Sequence, residues 1–308
     1  MNSKPLVSIV IPVYNGANFV REAIDSALSQ TYENIEIVVV NDGSTDGGKT
    51  KDACMEYEGR IKYFEKENGG CASAINYGIK MAEGEFISWL SHDDLYYPEK
   101  IQYQIGLYKS KGLDTKTVII SNQSDLIDKD GKKIFHPSYG NCGFLKPRQA
   151  FCHLLFEKCF NGCGLLIPKN LFKDDLFFNE SMKFVLDWDL WLRFTVAGAS
   201  VFVDKKVLVS NRRHSMQITQ NQRELHKKES DETVKILFEK LKDGPKEYIS
   251  DLYAFSYSTK KGNAQEILEY ARKNNIKISM MNMALRKLKL KGVKYAKKLY
   301  HFVRGAVK

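Results

Sequence analysis

No stretch of the 308-residue chain approaches the roughly 18 consecutive apolar residues that a membrane-spanning helix needs, so the sequence excludes a helical span. The opening Met1-Asn2-Ser3-Lys4-Pro5 lacks the layout of a secretory signal, which leads us to expect a cytoplasmic protein. Cysteine is sparse: six in a chain this long cannot build a disulfide scaffold. Cys152, His153, Cys159 and Cys163 lie close in sequence, but their spacing matches no common zinc pattern. Reduced, mostly buried thiols are predicted instead. Acid is missing from one end. From Lys277 onward there are ten Lys or Arg and no Asp or Glu, while the remaining 37 basic residues balance 37 acidic ones. The net charge of +10 therefore belongs to the tail, which implies one local anionic contact rather than a general nucleic-acid coat. No aromatic stacking platform accompanies that charge, which argues against nucleic acid as the partner.

What is present centres on Phe86-Ile87-Ser88-Trp89-Leu90-Ser91-His92-Asp93-Asp94, an apolar run of strand length that ends in adjacent carboxylates. In an open parallel sheet, ligands bind outside the carboxyl ends of the strands. Carboxylate oxygen there suits Mg²⁺ or Mn²⁺ shared with a phosphate. The plainer reading of Asp93-Asp94 is a solvated turn before the helix that opens at Pro98.

The rest of the chain bears on that choice. Val7–Val13 and Ile35–Val40 are near-continuous apolar runs, as expected of strands buried on both faces. They end in Tyr14-Asn15-Gly16 and in Asn41-Asp42-Gly43-Ser44, and helical patterns follow over 18–30 and 50–57. A short strand over 61–65 and a helix over 72–81 lead to the strand 85–90. This alternation predicts βαβ crossovers and a parallel sheet. Three strands then deliver polar residues to one edge, the geometry of a nucleotide-type pocket. Beyond Asp94 the spacing predicts a helix over 98–111, a strand over 117–121, a hairpin about Asp130-Gly131, a helix over 147–160 and a strand over 164–168. A helix opening at Asp187 and short strands over 201–203 and 207–209 complete the body. From about Asn221 the chain is helical and charged, with a break at Asp243-Gly244-Pro245.

Val7–Asn15, the Asn41–Asp46 loop, Glu67-Asn68-Gly69-Gly70 with Asn76 and Gly78, Gly84–Asp94, Asp187–Arg193 and Arg213-His214 stand in the order found in family 2 glycosyltransferases of the GT-A fold, which the chain resembles over about 7–219. The resemblance implies an α/β GT-A domain over 1–220, Rossmann-like with a mostly parallel sheet and flanking helices, followed by a helical extension over 221–308. It implies an inverting transfer of a sugar from a nucleoside-diphosphate donor, expected to be a UDP-sugar, to an acceptor hydroxyl in polysaccharide or cell-envelope glycan synthesis. By the same analogy Pro12 and Tyr14 flank the base, Asp42 accepts a hydrogen bond from it, and the Asn68 segment closes on it. Asp93 reaches the ribose, Asp94 holds a Mn²⁺ or Mg²⁺ ion on the diphosphate, and Asp187 is the catalytic base. His214 either adds a metal ligand or donates to phosphate. The sequence departs from the family pattern at Ser91, Ile75 and Leu186, where the family often has Asp, Arg and Glu.

Several positions keep two readings. Asp187 either takes the acceptor proton or caps its helix; Asp189 is the second candidate base or a partner that orients the loop. Tyr14 stacks on the base or packs beneath the first helix, and Trp188 and Trp191 are core or touch the acceptor. In the tail, Met281, Leu285, Leu288, Tyr295 and Leu299 fall on one helical face, with Lys287, Lys291, Lys294 and Lys298 largely off it. Such a helix lies on anionic lipid, peripheral to the inner membrane face and beside a lipid-linked or glycan acceptor, or it packs on the body. Competing functions are a sugar nucleotidyltransferase, whose Gly-rich, Arg/Lys-bearing loop is not visible after the first strand, and a catalytically silent glycan- or lipid-binding module.

Overall fold

The structure is a computed structural model, and it describes residues 4–135, 142–157, 159–214 and 223–278. The tail expected to meet a membrane lies, from residue 279 on, outside the described residues. The first half alternates as the apolar runs require: β1 (Val7–Val13), α1 (Val20–Leu28), β2 (Ile35–Asn41), α2 (Lys49–Met55), β3 (Lys62–Glu65), α3 (Cys71–Met81) and β4 (Phe86–Trp89). Every residue of β1 is buried, because helices cover both faces of its sheet. β3, β2, β1 and β4 lie side by side and all parallel. Gly78 lets α3 settle on β1; a Cβ there would stand 2.4 Å from Val10 Cγ1.

The second half is mixed. After β5 (Leu95–Tyr96) and α4 (Lys100–Lys111) come β6 (Val118–Ile127), β7 (Lys133–Phe135), β8 (Gly143–Leu145), α5 (Pro147–Phe156), β9 (Leu165–Pro168), α6 (Leu186–Val196) and β10 (Ser200–Arg212). β9 joins the two halves, antiparallel to both β4 and β6, and β10 runs parallel to β6. The hairpin predicted about Gly131 forms between β6 and β7, with Gly131 at φ +82°. The two short strands predicted over 201–209 are one strand, β10, carrying register shifts near Asp204. Asp204 steadies that irregularity by accepting from the Lys206 N–H at 2.8 Å and from Asn122 at 3.1 Å. β5 and β8, only two and three residues long, carry too little pattern to be read from sequence.

Helices α7 (Arg223–Asp243), α8 (Ile249–Thr259) and α9 (Ala264–Lys273) follow. Val234, Leu237, Phe238, Leu252 and Ile267 share one hydrophobic cluster with Val10, Ile119 and Trp191, so these helices are built into the core of the sheet domain. Arg148 on α5 donates to Asp251 on α8 at 2.7 Å, and the Asp251 side chain is almost wholly buried.

Lys100 is fully buried beneath β4. It donates to Ser88 Oγ at 2.8 Å, Gln104 Oε1 at 3.0 Å and the Leu165 carbonyl at 3.3 Å, above the Tyr96 ring. Burial lowers its pKa to about 7. Gln104 passes the network on to Asn122 at 3.1 Å, so the core beneath β4 is tied to the floor of the site described next.

Candidate active site

Three strand ends meet at one rim. Past β1, Asn15 turns at φ +48°, and its side chain accepts from the Thr45 N–H at 2.8 Å, which laces the loop after β1 to the loop after β2. Gly16 backs directly onto His92, since a Cβ there would stand 2.5 Å from His92 Cδ2. Tyr14 is 44% exposed on this rim. Pro12, expected to flank the base with it, is buried inside β1, opposite Val40 on β2. The surface for a flat ring at this strand end therefore belongs to Tyr14.

Asp42 is 2% exposed. Its carboxylate accepts from the Gly69 N–H at 3.0 Å, the Gly70 N–H at 2.7 Å and Lys66 Nζ at 2.9 Å, and its carbonyl accepts from Asn68 Nδ2 at 2.9 Å. Asp42, expected to accept a hydrogen bond from the nucleobase, also holds the 66–70 loop through its oxygens, and Asn68 is the clasp. Gly70, at φ +86°, is where the glycine pair matters, because that conformation presents its N–H to Asp42.

At the end of β4, Asp93 Oδ2 and His214 Nε2 lie 3.0 Å apart, and the Asp93 carbonyl accepts from Arg212 Nε at 2.9 Å. Arg212 is a buried brace that also reaches the Lys129 carbonyl and Glu22, its guanidinium 4.7 Å from the Phe19 ring centre. Asp94 behaves differently. Its Oδ1 accepts from the Arg212 N–H at 2.9 Å, and its Oδ2 from Asn211 at 2.7 Å and Cys163 Sγ at 3.3 Å. Burial, with the neighbouring Asp93 charge, pushes its pKa upward. Asp94 is the expected metal ligand, and both of its oxygens are engaged in the β4–β10 joint. The pair turned toward each other is Asp93 and His214. Two cis ligands of an octahedral ion at about 2.1 Å stand about 3.0 Å apart, so this pair fits a Mg²⁺-sized ion. His214 Nδ1 is buried with no hydrogen-bond partner among the described residues. No group of three or more His, Cys, Asp or Glu forms a full cage among the described residues, and an ion here would take its other ligands from phosphate or water.

Asp187 opens α6. Its Oδ1 accepts from the Trp188 N–H at 2.7 Å and its Oδ2 lies 3.7 Å from Cys159 Sγ. Burial raises its pKa to about 6. Asp189 is fully buried and bound by Arg193 at 2.5 and 2.8 Å, while Arg193 also donates to the Asp175 and Phe177 carbonyls. Asp189 is thus the partner that orients the loop. Trp191 is core, edge-on to Phe178, and Trp188 donates to the Leu154 carbonyl on α5.

A cavity of about 640 Å³ opens between β6, β10 and α5, lined by Asp187, Asp94, Trp89, Asn122, Gln123, His153, Glu157 and Asn161 among others. His153 Nδ1 lies 3.2 Å from Glu157, and its ring stacks on Phe160 at 5.1 Å. Cys71 is the first residue of α3. Two carboxylates, Asp94 after β4 and Asp187 on α6, line one hollow. The sequence had missed Cys71, Asn211 and the His153–Glu157 pair; nothing in local spacing marks them. All six cysteines are free thiols, as expected, though Cys71, Cys142 and Cys159 are exposed.

The sheet order is that of the GT-A fold. Solved structures agree on the fold: Staphylococcus aureus TarS 1–349 in complex with UDP-GlcNAc superposes with TM-score 0.65 over 96% of this chain and 91% of that one, at 15% identity. The pattern named Glycosyl transferase family 2 matches residues 8–163. An uncharacterized glycosyltransferase of Rickettsia typhi is 50% identical over 223 residues, 70% of this chain and 66% of its own length. Glycosyltransferase GlyG of Streptococcus pneumoniae is 30% identical over 219 residues, 68% of this chain and 71% of that protein. The chain belongs to glycosyl transferase family 2. It spans 66% of the Rickettsia typhi relative, and only 30% and 35% of the matching proteins of Rickettsia bellii and Rickettsia felis. Among the described residues, no helix is long and apolar enough to cross a membrane.

Proposed function

We propose that this enzyme transfers a sugar from a UDP-sugar to an acceptor hydroxyl with inversion, using a divalent ion and Asp187 as the general base. The observation that carries the reading is the position of Asp187. It is half-buried at the start of α6 and shares one cavity with Asp94, with a pKa pushed up to about 6. Such a carboxylate is charged at neutral pH yet basic enough to take a proton from an alcohol in the transition state. An acceptor seated in the cavity meets Asp187 on one side of the anomeric carbon while the diphosphate leaves on the other, toward Asp93 and His214. Those two residues would hold Mn²⁺ or Mg²⁺, which when bound supplies Lewis-acid stabilisation of the departing diphosphate. Tyr14 offers its ring to the nucleobase. Asp42 and Asn68 keep the loop beneath it closed.

UDP is favoured as the nucleotide because TarS, alike in fold, was solved with UDP-GlcNAc. A glycan or lipid-linked acceptor in envelope or polysaccharide synthesis is favoured by the relative named hyaluronan synthase of Pasteurella multocida, 41% identical over 209 residues and covered for 20% of its length. The ten basic residues of 277–308 would hold the enzyme to an anionic membrane surface where such acceptors sit. The test is thermal shift and turnover with UDP-GlcNAc and other nucleotide sugars, with and without Mn²⁺. Stabilisation by UDP only in the presence of the ion, with turnover lost in Asp187→Asn, is the expected result. Equal turnover in Asp187→Asn would overturn the assignment of the base.

A further inference from the structure

The first turn of α6 carries Asp187, yet no side chain of its own caps it: the N-cap position is Val185. Helix starts leave backbone N–H groups without intrahelical partners, and a buried start needs acceptors from elsewhere. They come from α7. Glu229 is 6% exposed, and its Oε1 accepts from the Lys183 N–H at 2.9 Å while its Oε2 accepts from the Phe184 N–H at 2.8 Å and the Val185 N–H at 3.2 Å. One turn further along α7, Thr233, fully buried, donates to Met182 Sδ at 3.7 Å. The same helix is pinned into the core by Val234, Leu237 and Leu241. A carboxylate on a rigid, buried helix thus holds the backbone that enters α6, two to four residues before Asp187.

We propose that Glu229 is a positioning residue for catalysis: it fixes the 183–185 turn and so aims Asp187 into the cavity. The helices after residue 222 then take part in building the catalytic centre. The proposal rests on Asp187 as the base. The groups that face Asp187 are the Cys159 thiol at 3.7 Å, Cys71 on α3, and His153 and Glu157 on the α5 wall of the same cavity. None of these contacts Glu229 in the hydrogen bonds above, so a change at Glu229 reaches Asp187 through the backbone.

The test uses the full chain with Glu229→Ala and Glu229→Gln. The carboxamide keeps one acceptor oxygen, so it can serve only part of the three-donor set, and a graded series results. Hydrogen exchange at the amides of 183–187 should accelerate about tenfold or more in Glu229→Ala and less in Glu229→Gln. With UDP-GlcNAc as donor, kcat per folded molecule should fall about tenfold or more while the donor KM stays within about twofold. The ascending limb of the pH profile should move to lower pH as the loosened turn lets water reach Asp187. A global fold defect would not move that limb. Should Glu229→Ala fail to fold, Glu229→Gln carries the test. Should the wild-type chain fail to turn over UDP-GlcNAc, the functional reading is in question, but amide exchange and an NMR titration of the Asp187 carboxyl still decide the positioning. Wild-type exchange at 183–185, or an unmoved Asp187 titration, in both variants overturns the proposal.

Discussion

The two sides of the rim are built on opposite principles. On the side of β1, β2 and β4, the carboxylates of Asp42 and Asp94 are saturated by N–H and ammonium donors and hold loops in place. On the side of β6, β10, α5 and α6, Asp187, Asn122, His153 and Glu157 turn toward an open cavity of about 640 Å³. On the first side Asp42 is spent on shape and Asp94, though it touches the same cavity, is tied into the β4–β10 joint, while on the second Asp187 faces volume where chemistry can occur. A carboxylate in a conspicuous sequence motif is therefore not for that reason the one that touches substrate.

The strongest way to break this contrast is Asp187→Asn. Loss of a general base should lower kcat by about 10²–10⁴-fold, while UDP binding with Mn²⁺ is retained. Turnover by the wild-type enzyme should rise with pH through about 6, because the base must lose its proton to act, and level off above. A flat profile across that range would place the proton acceptor elsewhere.

The next test separates the adjacent carboxylates. Asp93→Asn should weaken Mn²⁺-dependent UDP binding by about tenfold or more, with little change in the melting temperature of the ligand-free protein. Asp94→Asn turns an amide against the Asn211 and Arg212 donors and should lower stability by about 1–3 kcal/mol. The reverse pattern would return the ion to Asp94. Asp42→Asn belongs with Asp94→Asn: one of its N–H or ammonium donors loses a charged acceptor, and stability should fall by about 1–3 kcal/mol, read in urea unfolding.

How much of this was legible follows from the same contrast. The parallel strands were visible because strands buried on both faces write continuous apolar runs, such as Val7–Val13 and Val38–Val40. Their polar endings marked the rim. The ion's ligands were not legible in full because Asp93 and Asp94 are adjacent in sequence, and how each of them is turned depends on Arg212, Asn211 and His214, over a hundred residues away. Glu229 carried no signal at all, being one acid among many on a charged helix whose partner is backbone. The cavity wall combines α5, β6 and β10, and contacts at such separations leave no periodicity in the chain.

The smallest predicted effect is also the one that shows what the cavity costs. Asp187 has its pKa raised to about 6 by burial, so the folded state holds its proton more tightly than the unfolded chain does. The stability from that proton is full below about pH 4, where both states are protonated, and is lost as pH rises through about 6. Above that, the folded protein carries a partly desolvated charge, and Asp187→Asn removes it. The variant should therefore be more stable than wild type at pH 8 by about 1–2 kcal/mol, less than the full shift because Asp187 keeps surface toward the cavity. At pH 4 the difference should vanish, as read from urea unfolding at the two pH values. A variant that loses activity and gains stability at high pH alone would mark Asp187 as held for chemistry. Equal destabilisation at both pH values would mark it instead as a cap of α6, and would move Asp187 to the shape-holding side of the comparison.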